Sequence, residues 1–222
     1  MDRINHVLEV DGVLLNYGTN RVLQNIYLKC QTGKVTGLLG RNGCGKSSLM
    51  RIMFGEPIAV DKSVRIDGMS LLGDYRHPND MRYLPQQKFI PNKLSLDRVL
   101  ADFELEKSEL IAYFPEFGNF PNLTIDQLSG GWQRILEVYL ILKSKSKFVL
   151  LDEPFTHIMP LHVETIKDLI LLEKPNKGIL ISDHLYQHIM DISDQVYMIN
   201  NGRSFPIKSV EELHDQGYIR AY

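Results

Sequence analysis

The sequence predicts an α/β fold in which a largely parallel core sheet carries an antiparallel β layer near the N-terminus and an inserted helical subdomain. Three observations support that expectation. Short, wholly apolar runs alternate with helical stretches; β-prone runs with glycine punctuation crowd the chain up to Leu72; and the strand signal fades between Gln87 and Leu128. With 222 residues, 44% of them hydrophobic, the chain can bury a sizeable core and reads as one globular unit.

Val7 to Asn16, Val22 to Cys30 and Val64 to Leu72 are the β-prone runs, and Val22 to Cys30 partly alternates apolar with polar residues, as hairpin strands do. VTGLL at Val35 to Leu39, FVLL at Phe148 to Leu151, ILI at Ile179 to Ile181 and VYMI at Val196 to Ile199 read as strands covered on both faces. Between them, Lys46 to Phe54, Ile135 to Leu142, Val163 to Leu172 and Leu185 to Ile192 carry the apolar spacing of helices. Leu96 to Tyr113 is charged and helical in type, and YFPEFGNFPN then interrupts regular structure. Residues 88–145 are therefore expected to form a helical subdomain inside a single domain spanning 1–222.

Composition narrows the function classes. Lys and Arg number 25 against 27 Asp and Glu, a formal net charge of -2, so no direct nucleic-acid or anionic-membrane contact is expected. The two cysteines, Cys30 and Cys44, make no CxxC pair and no disulfide framework, which suits reduced cytosolic thiols. MDRINHVLEV lacks the apolar run of a signal peptide, and no stretch approaches the roughly 18 apolar residues of a membrane span, so membrane contact is expected through a partner.

The chemistry-bearing residues begin at Gly40-Arg41-Asn42-Gly43-Cys44-Gly45-Lys46-Ser47, which fits G-x-x-x-x-G-K-[ST] and lies between a strand and a helix. Gly40, Asn42, Gly43, Cys44 and Gly45 shape a loop whose N–H groups face phosphate oxygens, with Ser48 next in the helix. Lys46 neutralises β/γ charge, and the Ser47 hydroxyl is offered to magnesium. About a hundred residues on, FVLLDEP ends a buried strand with two acids: Asp152 as the metal carboxylate, Glu153 as the group polarising the attacking water. Leu128-Ser129-Gly130-Gly131 precedes a helix, so Ser129, Gly130 and Gly131 form a second phosphate-ready helix start.

The order of these motifs, with a Gln after a strand and a late His, resembles the ABC ATPase family over nearly the whole chain. The resemblance implies a P-loop NTPase core of the ABC type, with ATP and Mg2+ as ligands. By the same resemblance, Tyr17 is the aromatic that stacks on adenine. Gln86, in RYLPQ, is the Q-loop glutamine, serving both metal and catalysis, and His184, in ILISDHL, is the switch histidine that touches the γ-phosphate. It further implies head-to-tail dimers, homodimer or heterodimer with another ABC ATPase subunit, in which Ser129 to Gly131 of one copy close over ATP held by the other. The helical subdomain would dock on transmembrane permease subunits, placing the chain in the cytoplasm, peripherally on the inner face of the membrane.

Two positions depart from the family pattern. Trp132 stands where LSGGQ has Gln, and is expected to pack at the dimer seam; Thr156-His157-Ile158-Met159 lacks the acid of S-A-L-D, which bears on signalling between sites. Cys44, beside the phosphates, suggests inactivation by thiol alkylation with protection by ATP. The expected function is the ATP-binding and ATP-hydrolysing motor subunit of an ABC membrane transporter; the alternative is a soluble ABC-type ATPase acting as scaffold or regulator. A small kinase or GTPase fits poorly, because Gly-Ile rather than x-Asp follows Asn176-Lys177 and LSGG would go unexplained.

Overall fold

The computed structural model describes residues 5–71, 77–119 and 123–219. Leu72 of the third β-prone run, and the end of the proline-interrupted segment beyond 119, lie outside the described residues. Ten strands and seven helices follow in the order β1 (Val7–Tyr17), β2 (Asn20–Gln31), β3 (Val35–Gly40), α1 (Lys46–Met53), β4 (Asp61–Ile66), β5 (Met69–Ser70), β6 (Met81–Leu84), α2 (Leu96–Asp102), α3 (Lys107–Tyr113), α4 (Gly130–Lys143), β7 (Phe148–Asp152), α5 (Pro160–Glu173), β8 (Gly178–Ser182), α6 (Tyr186–Ile192), β9 (Gln195–Asn200), β10 (Arg203–Ile207) and α7 (Val210–Asp215) among the described residues.

The alternation in the first runs becomes a four-stranded antiparallel sheet, β2-β1-β4-β5, with Leu8 opposite Cys30 and Val10 opposite Leu28. The apolar runs become a six-stranded sheet, β10-β9-β3-β8-β7-β6, parallel except for β10. Period-two geometry splits each central strand between two cores. Val149, Leu151, Ile179 and Ile181 join the cluster built with α4 and α5, whereas Phe148, Leu150 and Leu180 join the cluster that contains α1 and the antiparallel sheet. That two-sided burial is why these strands carry no polar alternation. The Ser204 hydroxyl donates to Tyr27 O at 2.7 Å and accepts from Tyr27 N at 2.8 Å, stitching β2 to β10 and hence one sheet to the other.

Between β6 and β7 the regular elements are helical: α2, α3, α4 and short 3-10 turns at Pro115–Asn119 and Ile125–Gln127. The Leu96 to Tyr113 stretch is two helices rather than one, because the chain turns at Glu104, which sits at φ 57. Helix α4 is buried from Gln133 through Leu142, packed with α5 and with α2 and α3 of the helical lobe to which it belongs. Each fully buried Leu or Ile there contributes about 1.5–3 kcal/mol relative to an exposed one. Short β10 and α7 were not expected from the sequence; both are largely exposed and so carry weak periodicity.

Candidate functional site

The loop from Gly40 to Gly45 leaves the carboxyl edge of β3, and its backbone is the first determinant of the site. Gly45 is left-handed at φ 105, and a Cβ there would come within 2.7 Å of Leu23 Cδ2. A Cβ on Gly40 would come within 2.9 Å of Ile199 O. The chain therefore lies tight against β2 and β9 where it enters α1. Lys46 is buried, its ammonium donating to Gly40 O at 2.6 Å and to Arg41 O at 3.4 Å.

This loop forms one wall of a cavity of about 630 Å³ lined by Tyr17, Asn20, Val22, Asn42, Gly43, Gly45, Lys46, Ser47, Ser48, Gln86 and Glu153. Tyr17 is half-exposed at the end of β1 with its hydroxyl 3.4 Å from Ser48 Oγ, so its ring is free to be covered. An adjoining cavity of about 410 Å³ shares Ser47 and Gln86 and adds Asp152, Tyr83, Arg51, Glu56, Pro85 and Gln87. Asp152 is fully buried; Ser182 Oγ donates to its Oδ1 at 2.7 Å and the Tyr83 hydroxyl donates to its Oδ2 at 3.2 Å. Burial, reinforced by the Asp152 charge, pushes the Tyr83 phenol well above its usual range, so the hydroxyl stays a donor.

Glu153 follows with φ 50, an uncommon backbone for glutamate, and its N–H donates to Ser182 O at 2.9 Å. Arg134 of α4 holds this turn. Its buried guanidinium donates to Asp152 O at 2.7 Å, Glu153 O at 3.0 Å and Pro85 O at 2.7 Å, and pairs with Glu137 at 3.3 Å. Glu137 in turn accepts from Phe89 N at 3.0 Å. One buried ion pair thus fixes both the strand end bearing the acids and the segment around Gln86.

Of the sequence-derived residues, the larger cavity gathers Tyr17, Asn42, Gly43, Gly45, Lys46, Ser47, Ser48, Gln86 and Glu153. Gly40 and Cys44 sit in the same loop without lining it. Burial pushes the Cys44 thiol up, which lowers its thiolate fraction and opposes the alkylation suggested by its position. His184 follows β8 outside the cavity, half-exposed, with Nδ1 3.2 Å from Asp183 Oδ1. Ser129, Gly130 and Gly131 also lie outside it, at the start of α4; Ser129 caps the helix by accepting from Trp132 N, and a Cβ on Gly131 would come within 2.9 Å of His157 O. Trp132 packs within its own chain, 5.2 Å from the Phe117 ring and 4.8 Å from His162. Asn20, Val22, Tyr83, Arg134, Glu137 and Ser182 were missed by sequence reasoning; only Tyr83 and Arg134, which adjoin the Gln86 and LSGG motifs, carried any local signal.

Ser47, Gln86 and Asp152 present a hydroxyl, an amide and a carboxylate in the smaller cavity, the first two also lining the larger one, an all-oxygen set suited to a hard divalent cation. No group of three or more His, Cys, Asp or Glu side chains that could hold a metal occurs among the described residues. A hard cation on the three donors Ser47, Gln86 and Asp152 would complete its shell with waters and phosphate oxygens, as Mg2+ does.

A family model described as "ABC transporter" matches residues 23–156. The lipopolysaccharide export system ATP-binding protein LptB of Escherichia coli is 30% identical over 223 residues, covering 93% of this chain and 92% of that protein. The high-affinity branched-chain amino acid transport ATP-binding protein BraG of Pseudomonas aeruginosa is 25% identical over 224 residues, with 95% and 93% covered. A solved structure described as the ATP binding subunit of an ABC transporter superimposes with a TM-score of 0.79 at 21% identity, covering 97% of this chain and 95% of that one, and speaks to the fold.

Proposed function

Since this chain belongs to the ABC transporter family of ATP-binding subunits, we propose that it hydrolyses ATP in the larger cavity and passes the resulting motion to transmembrane permease subunits. The observation that carries the reading is one cavity joining the phosphate loop, Gln86 and Glu153, with Asp152 directly behind it. In this reading Tyr17 stacks on adenine, and the N–H groups of the loop and the start of α1 receive the phosphates. Lys46 turns from its own loop carbonyls to the β/γ oxygens, exchanging neutral acceptors for charged ones. Ser47, Gln86 and Asp152 would hold Mg2+, whose charge, when bound, offsets that of the phosphates. The Glu153 carboxylate accepts the proton of the attacking water as its oxygen bonds to the γ-phosphorus and the bond to ADP breaks.

His184 and Ser129 to Gly131 lie outside the cavity of their own chain, so the reading assigns Ser129 to Gly131 to the site of a second copy, homomeric or heteromeric. There the start of α4 faces the γ-phosphate as a helix N-terminus. His184 is assigned to its own site, reaching the γ-phosphate when the copies close. The lobe of residues 88–145 is assigned to the permease. An apolar groove of about 340 Å³, lined by residues including Phe54, Phe89, Ile90, Leu94, Val99 and Phe103, suits a short partner helix. No helix among the described residues is long and apolar enough to cross a membrane, so attachment to the cytoplasmic face is assigned to that partner.

The test is Glu153→Gln with γ-labelled ATP. The variant retains nucleotide, loses phosphate release by roughly 10²–10⁴-fold, and accumulates as an ATP-bound dimer on gel filtration. Phosphate release at the wild-type rate would overturn the assignment of Glu153, and a wild-type protein that binds no nucleotide would overturn the reading whole.

A further inference from the structure

Tyr83 sits where two separate features of the chain share a wall. Its hydroxyl donates to Asp152 Oδ2 at 3.2 Å in the cavity that also holds Ser47 and Gln86. Its ring forms part of the apolar groove on the lobe side, where it packs on Phe54 at 5.5 Å between centroids. Strand β6 ends one residue later, so the residue's backbone is anchored by pairing with Leu150 of β7. The tyrosine is thus a rigid bridge: a flat ring with few torsions, its polar end on a carboxylate and its face on a groove.

We propose that Tyr83 is a positioning residue for the metal-binding carboxylate of Asp152, and that its ring ties the orientation of that carboxylate to the wall of the groove.

The geometry supplies the reason. Asp152 has two oxygens, and Ser182 already accounts for one. Without a donor at Oδ2, the carboxylate would be held at one oxygen only and its plane could turn within the reach of the Ser182 bond; with the Tyr83 hydroxyl in place, the plane is held by donors on both sides. Partners that orient a ligating carboxylate commonly alter metal affinity by roughly ten- to a hundredfold when removed. The other end of the bridge is Phe54, which follows α1 and so links the groove to the helix bearing Lys46 and Ser47. Displacement of either ring moves the hydroxyl, because a phenol cannot shorten to keep its bond.

This inference rests on the assignment of Asp152 to Mg2+, and the experiment separates the two. Mn2+ serves as the probe, titrated by electron paramagnetic resonance into the whole chain saturated with ADP, where no hydrolysis intervenes. Affinity for a fluorescent ADP analogue in EDTA is measured alongside it. Tyr83→Phe keeps the ring and loses the hydroxyl: Mn2+ binding weakens about tenfold, while metal-free nucleotide binding stays at the wild-type value. Phe54→Leu touches only the ring side and weakens Mn2+ in the same direction, about threefold. Unchanged or tighter Mn2+ binding in Tyr83→Phe overturns the positioning role, and unchanged binding in Phe54→Leu overturns the link to the groove. If Asp152→Asn leaves Mn2+ binding intact, the metal assignment itself has failed. Loss of metal-free nucleotide binding in either variant marks general damage rather than positioning, and counts against the proposal.

Discussion

Replacing Arg134 with methionine tests whether the buried ion pair behind the acids is what holds them. The side chain is 8% exposed and its partner Glu137 2%. Methionine keeps most of the apolar stem, so the loss is confined to the charge and its bonds. Removing one member of a buried pair typically costs about 3–5 kcal/mol, because the remaining charge is left uncompensated. Here Glu137 retains one donor, Phe89 N, while the carbonyls of Pro85 and Asp152 lose the Arg134 donor and Glu153 O keeps only Thr156 N at 3.4 Å. Those carbonyls can turn to water only by opening the turn, so the expected cost stays near 3 kcal/mol. Against a typical total of about 5–15 kcal/mol, the variant still folds.

Adding Glu137→Leu removes the stranded charge and recovers part of that loss. It leaves Phe89 N without an acceptor, at about 1–3 kcal/mol. The double variant is therefore expected between Arg134→Met and wild type. Urea denaturation of wild type, both singles and the double gives the coupling energy directly. A loss below about 1 kcal/mol in Arg134→Met, or a double variant less stable than that single, would refute the reasoning. A second readout follows from the backbone of Glu153 at φ 50. Freed from Arg134, that turn relaxes, and kcat for ATP falls more than nucleotide affinity does.

Further outcomes follow from the same structure. The N-cap position of helix α5 is Met159, which offers no side-chain cap and is 58% exposed, so Met159→Asp stabilises the chain by about 1 kcal/mol in urea melts; an unchanged midpoint would count against it. Gly45→Ala forces a methyl toward Leu23 at a left-handed φ, destabilising by about 1–3 kcal/mol and abolishing nucleotide binding; calorimetry showing wild-type affinity would contradict the tight loop. Burial raises the pKa of Cys44, so its thiolate fraction at neutral pH lies below that of a free thiol and grows as pH rises. Iodoacetamide labelling is accordingly slow at pH 7 and accelerates toward alkaline pH, and rapid labelling at pH 7 would be inconsistent with the burial.

The sequence determined what depends on neighbours along the chain. The proposed phosphate loop has its glycines, lysine and serine in one contiguous turn, so its place between a strand and a helix at Gly40 to Ser47 was legible from the sequence. The buried strands were legible too, since burial on both faces erases alternation, and the helical stretch between Gln87 and Leu128 showed by losing strand character. What sequence could not decide are the contacts closed by the fold. Tyr83 meets Asp152 across 69 residues, Arg134 reaches Pro85 across 49, and Ser182 reaches Asp152 across 30. Each is a single side chain whose type is compatible with many surroundings, and only the order of strands β6, β7 and β8, with α4 packed on β6 and β7, makes them neighbours. The same holds for Trp132, whose ring contacts with Phe117 and His162 come from two other elements of its own chain. Local backbone chemistry fixes a motif where it is written; the partners of a side chain depend on which distant segments the sheet and its helices bring beside it.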